Sequence, residues 1–234
     1  MSENTILCVK WGTKYDDYVD KLKSQIEKNC SVDFNFYCIT ENPKKDYDIL
    51  CPDFWDKYYR PRQFWAYRKL YPFNEDLFPN IKGEKFLYLD LDMKRPYIVR
   101  GWWNDIDNCK KNFGKIKSTP LNSSVVRWNR GQLKTIYNHV NTNAEYIFFT
   151  YRTIDNYYNH FFYNIWNEED SFFNVYPKGD VYSWYKGNIF PNDMKLKQLR
   201  PDHKICLFNN SAAVNTNKTN DEHMNEIEEI KKLW

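Results

Sequence analysis

The sequence predicts an α/β fold, a single domain built on a mostly parallel sheet flanked by helices. Three observations carry that expectation. The chain opens with an apolar run, a turn and an amphipathic segment, and a second apolar run follows, which is the order of a βαβ unit. A further apolar run at 86–89 ends in two carboxylates, and in open α/β sheets ligands gather where strands end. Its 234 residues match one large domain or two that share a core. Hydrophobic residues make up 42% of the chain and aromatic residues 19%, so rings must supply much of the core.

The same composition excludes several classes. Aromatic richness excludes a disordered chain, and seven Gly with no sustained heptad exclude collagen and a coiled coil. With 34 Lys and Arg against 31 Asp and Glu, the net charge of +3 is too near balance for a nucleic-acid-coating surface or a polybasic anchor. No apolar run approaches the roughly 20 residues of a spanning helix, so no integral membrane segment is expected. The opening residues lack a basic region followed by an apolar stretch, so a soluble, cytoplasmic protein is expected.

Positions 5–9 form a short buried strand, broken by Trp11-Gly12-Thr13-Lys14. From Tyr15, apolar residues at Tyr15, Tyr18, Val19, Leu22 and Ile26 follow helical spacing, with Asp16, Asp17, Asp20, Lys21 and Lys23 opposite. Positions 34–39 are the second strand, stopped at Thr40-Glu41-Asn42-Pro43. A Pro- and Asp-punctuated loop is expected over 44–62, then a helix over 63–71 ended by Pro72, then a strand over 84–92. In the second half, strands are expected at 124–128, 146–150, 181–184 and 204–208. Helices are expected at 132–140, 155–166 and 223–233, with polar loops at 141–143 and 209–221. The six cysteines Cys8, Cys30, Cys38, Cys51, Cys109 and Cys206 contain no CxxC pair and no neighbouring His at zinc spacing, so free, mostly buried thiols are expected.

Chemistry centres on Asp90-Leu91-Asp92. Residues two apart on an extended strand share a face, so Asp90 and Asp92 can converge on one hard cation where the strand frays. Carboxylates without adjacent Cys or His favour Mg²⁺ or Mn²⁺. Two charges that end a buried run are poorly explained by stability.

An ordered set carries a family resemblance: Val9-Lys10-Trp11-Gly12, Arg68-Lys69-Leu70-Tyr71, Leu87-Tyr88-Leu89-Asp90-Leu91-Asp92, Asn122-Ser123-Ser124-Val125 and Asp155-Asn156. It resembles the GT-A class of nucleotide-sugar glycosyltransferases. The likeness is strongest to a bacterial and viral group whose first strand reads CVKWG, and broader to retaining galactosyl- and glucosyltransferases with a DxD motif. It spans nearly the whole chain. It implies a nucleotide-binding half over 1–115 and a sugar and acceptor half over 116–234.

By that resemblance, Val9, Lys10, Trp11 and Gly12 would hold the donor base through backbone groups, with Tyr15 or Trp11 stacked on it. Arg68 or Lys69 would approach the diphosphate or ribose. Asp90 and Asp92 would bind the Mn²⁺ or Mg²⁺ that bridges the phosphates, and UDP is the implied nucleotide. Asn122 and Ser123 would line the donor sugar. Asp155 and Asn156 fall where the family has the Asp-Gln pair that touches the sugar, a position that favours retention. The third metal ligand of the family is a His after the last strand; here Asn209 stands there, and Lys218 is the nearest candidate for the Lys that often follows. Trp102, Trp103, Trp184 and Tyr185 offer flat faces for sugar C–H groups.

Alternatives stay open on the residues alone. Asp155 either touches the sugar or caps the helix after it, and Asn209 either ligates metal or fills a turn. Trp184 belongs to the core, a lid or the acceptor site. A dehalogenase-like phosphatase would want its DxD near the N-terminus with Thr or Val where Lys94 stands. A nuclease core finds only a compressed imitation in Pro201-Asp202-His203-Lys204. The expected partners are therefore a nucleotide-sugar donor and a glycan or other hydroxyl acceptor, with no nucleic acid. The competing expectation is a catalytically inactive relative that binds a carbohydrate or nucleotide sugar.

Overall fold

The computed structural model describes residues 2–13, 16–58, 65–91, 123–151, 154–162, 181–183 and 205–207. Expectations for Tyr15, Asp92, Trp102, Trp103, Cys109, Asn122, Trp184, Tyr185, Asn209, Lys218 and the helix at 223–233 lie outside them.

Five strands form one mixed sheet: β1 (Asn4–Lys10), β2 (Phe34–Thr40), β3 (Asp48–Leu50), β4 (Lys85–Leu89) and β5 (Val125–Asn129), in the order β3-β2-β1-β4-β5. All neighbours are parallel except β4 and β5. The expected α/β class with a mostly parallel sheet is the one observed. Helix α1 (Asp16–Asn29) makes the crossover from β1 to β2, and its buried residues Val19, Leu22 and Ile26 are among those the helical spacing selected, with Tyr18 partly buried beside them. Three shorter helices follow, α2 (Lys134–Thr142), α3 (Ala144–Thr150) and α4 (Ile154–Phe162). Strands β6 (Val181–Ser183) and β7 (Ile205–Leu207) pair in parallel as a separate ladder.

Strand alternation sorts the core into two layers. On one face Ile6, Cys8, Phe36, Cys38, Leu89 and Val125 pack on α1. On the other, Leu7, Ile39, Phe86, Tyr88 and Trp128 meet an aromatic layer that includes Trp55, Tyr67, Tyr71, Phe148 and Tyr157. Trp55 and Tyr71 stack at 4.2 Å, and Phe86 and Trp128 at 5.4 Å, so rings do build this interior. Strands buried on both faces read as near-continuous apolar runs, which is why β1 and β4 stood out in the sequence.

Four local expectations are corrected. Residues 44–62 are not all loop: Asp48–Leu50 extends the sheet as β3, and Asp56–Tyr58 is a 3₁₀ turn. Three residues with an Asp at one end and an exposed Leu50 present no periodic signal. The segment before β4 is a 3₁₀ helix, Trp65–Phe73, which runs through Pro72 instead of ending before it. Chain reversal continues there by a turn from Asn74 N–H to the Tyr71 carbonyl at 3.1 Å, a bond that does not need the missing proline N–H. Positions 146–150 are helical within α3, because Ala144, Ile147 and Phe148 recur at helical spacing and bury one face. Positions 141 and 142 end α2, and only Asn143 breaks the chain before α3.

Cys8, Cys38 and Cys51 are buried free thiols, and Cys30 is half-buried and free. Burial pushes the Cys51 thiol up to about 12. Burial, reinforced by Cys38 beside it in the β1–β2 register, raises Cys8 well above the ordinary thiol range. Among the described residues, no helix is long and apolar enough to cross a membrane.

Candidate functional site

The site lies where the strand order reverses. From β1 the chain crosses to β2 on one side, whereas β4 lies on β1's other side and pairs onward to β5. Adjacent parallel strands whose chains depart in opposite directions leave a crevice beyond their carboxyl ends. Leu7 registers with Tyr88, so the segment after Lys10 and the segment after Leu89 emerge side by side.

On the β4 side, Phe86, Tyr88 and Asp90 share a face by the two-residue period, and that face looks onto the 3₁₀ segment. Lys69 Nζ reaches both oxygens of Asp90, donating to Oδ2 at 2.7 Å and lying 2.6 Å from Oδ1. The Tyr88 hydroxyl donates to Oδ1 at 2.6 Å. The Asp90 N–H is bound to the Ser124 carbonyl at 2.8 Å, which ties this end of β4 to the start of β5. Lys69 and Asp90 are 17% and 15% exposed, so solvent screens the pair little yet still reaches it.

On the β1 side, Gly12 takes φ +69°, a conformation that a side chain disfavours, and its N–H donates to Glu41 Oε1 at 2.7 Å. Arg68, 4% exposed, lays its guanidinium carbon 3.2 Å from the centre of the Trp11 ring. Its Nη2 donates to Asp56 Oδ1 at 2.6 Å. Burial lowers the Arg68 guanidinium from its ordinary value, and Asp56 opposes that shift. Lys10, buried at the end of β1, bonds Asp16 in the first turn of α1. Burial alone would lower the Lys10 ammonium, but the Asp16 contact outweighs it and the net shift is upward. The hydrogen bond from Lys10 lowers the Asp16 carboxyl in turn.

The structure thus brings Lys10, Trp11, Gly12, Arg68, Lys69 and Asp90 to one end of the sheet, with Val9 partly buried in β1 behind them and Ser123 buried just before β5. Asn156 is exposed on α4, whose Ile154, Tyr157 and Tyr158 face the core. Asp155 is the second residue of α4. Tyr88, Asp56 and Glu41 are parts of the site that sequence reasoning missed. Tyr88 had a signal, since the spacing that pairs Asp90 with Asp92 equally pairs Tyr88 with Asp90; Asp56 and Glu41 had none.

Among the described residues no three His, Cys, Asp or Glu converge. Asp90 nonetheless fits a hard divalent cation: both of its oxygens already turn toward one positive centre, the Lys69 ammonium. Asp92 and Asn209, expected to complete the set, are outside the described residues.

No family model matches the chain, and no curated protein matches it. Among solved structures, it is similar to a glycosyltransferase involved in the glycosylation of the major capsid of PBCV-1, at 15% identity over 97% of this chain and 98% of that one, with a TM-score of 0.48. It is also similar to the galactosyltransferase LgtC in complex with donor and acceptor sugar analogues, at 10% identity over 96% and 95% and a TM-score of 0.48. An active-site mutant of LgtC matches at 10% identity over 96% and 95%, with a TM-score of 0.47.

Proposed function

We propose that the protein is a metal-dependent glycosyltransferase of the GT-A type, which moves a sugar from a nucleotide sugar, a UDP-sugar, to a hydroxyl of a glycan or other acceptor. The observation that carries this reading is the juxtaposition, at the sheet's switch point, of the Trp11-Gly12 turn with the Asp90–Lys69 pair. A base and a diphosphate need those two things side by side: a flat apolar surface with backbone polar groups, and fixed charge a few ångströms further on.

Roles follow from chemistry. Trp11, braced underneath by Arg68, presents an aromatic surface whose tilt is fixed by a buried cation. Glu41 holds the Gly12 turn through its N–H. Lys69 supplies positive charge to the diphosphate from a site that solvent screens only weakly. Asp90, with Asp92 and Asn209, would hold Mn²⁺ or Mg²⁺, which when bound supplies Lewis-acid neutralisation of the diphosphate leaving group. Asp155 supplies the carboxylate for the oxocarbenium-like sugar carbon, with Asn156 beside it, and Ser123 with Asn122 lines the sugar.

Release of UDP from a panel of UDP-sugars in the presence of Mn²⁺ tests the reading, with Asp90→Ala and Asp155→Asn in parallel. The wild type is expected to turn over at least one donor, and each variant to lose about a hundredfold or more. Donor binding without turnover would favour the inactive-relative reading. Failure to bind any nucleotide sugar would overturn the assignment altogether.

A further inference from the structure

The ammonium of Lys69 straddles the carboxylate of Asp90, and so occupies the side of Asp90 from which a dication would be held. We propose that Lys69 is a resident counter-cation that competes with the divalent metal for Asp90, so that metal and diphosphate load together rather than in either order. This inference rests on the reading of Asp90 as a metal ligand.

Three features support it. Lys69 contacts both oxygens at bonding distance, so a second cation cannot approach the same edge of the carboxylate until the ammonium leaves. Tyr88 donates to Oδ1 from a buried ring in β4, and the Asp90 N–H is fixed to the Ser124 carbonyl, so the carboxylate stays in place when Lys69 departs. Lys69 also has somewhere to go: its side chain is flexible, and a diphosphate arriving beside Asp90 brings negative charge that can draw the ammonium off. In the exchange the carboxylate trades an ammonium for a dication, the ammonium trades a carboxylate for a phosphate oxygen, and the negative charge of the diphosphate offsets the added positive charge. The consequence is thermodynamic coupling. Metal alone binds weakly, nucleotide alone binds weakly, and each strengthens the other by the same factor.

Mn²⁺ binding, read from the loss of the free-ion electron paramagnetic resonance signal, tests this with and without UDP. For the wild type, UDP is expected to tighten Mn²⁺ binding. Removing the competitor in Lys69→Met is expected to tighten binding of Mn²⁺ alone by about tenfold and to shrink the UDP effect by a similar factor. Lys69→Arg serves as the control for folding and for a merely structural role: its fork grips both carboxylate oxygens, so Mn²⁺ alone should bind no better than in the wild type, or worse. Tighter Mn²⁺ binding in Lys69→Met but not in Lys69→Arg supports the proposal; equal tightening in both overturns it. If Lys69→Met binds Mn²⁺ no better than the wild type while UDP still strengthens Mn²⁺ in both, the exchange is wrong and the metal assignment stands. If Mn²⁺ and UDP do not bind at all, the functional reading falls and the exchange with it.

Discussion

Lys10 shows how one side chain ties the site to the scaffold. Its ammonium ends the buried strand β1 and bonds Asp16, and that bond lowers the Asp16 carboxyl. A carboxylate whose folded pKa lies below its unfolded value stabilises the fold above the unfolded pKa of about 4 and loses that contribution as pH falls through the folded value. Lys10→Met removes the partner, so the drop in Tm between pH 5 and pH 3 should be smaller than in the wild type. An unchanged acid limb would mean that Asp16 does not respond to Lys10. Of the site, the residues attached to strand ends were legible in sequence, because a buried apolar run announces where it stops. Contacts between segments were not. Nothing in the chain indicates that Lys69 meets Asp90, 21 positions on, or that Arg68 lies against Trp11.

Glycines test the elements. Gly83 sits before β4 at φ +99°, and a Cβ there would lie 2.4 Å from Thr5 Oγ1 and 2.9 Å from the Glu3 carbonyl. Gly12 has φ +69° but open space around it. Gly83→Ala should therefore cost about 2–4 kcal/mol, left-handed strain plus a clash between β1 and the start of β4, whereas Gly12→Ala should cost about 1 kcal/mol of strain alone. Urea unfolding of the two variants checks the order, and equal costs would mean that the β1–β4 start relaxes easily. Long elements with a clear period, β1, α1, β2 and β4, were read correctly apart from their ends. Positions 146–150 misled because Tyr146, Ile147, Phe148 and Phe149 favour strands by residue type, and packing of Ile147 and Phe148 into the aromatic layer overrides that preference. The short β3 is set by pairing with β2 and had no signal of its own.

Topology decides where the candidate site lies in the whole molecule. Strand order β3-β2-β1-β4-β5 puts the reversal between β1 and β4, and the two motifs that sequence reading singled out, Trp11-Gly12 and Asp90, fall on either side of it. Sequence order alone could not pair β4 with β1, since β2 and β3 intervene, and only the parallel register shows that the motifs adjoin. The proposed donor site is this junction. A crystal structure of the protein soaked with UDP and Mn²⁺ tests it most directly. The base is expected against Val9 to Gly12, the diphosphate between Lys69 and Asp90, and the metal on Asp90. Nucleotide bound elsewhere on the molecule, with the β1–β4 end empty, would contradict it.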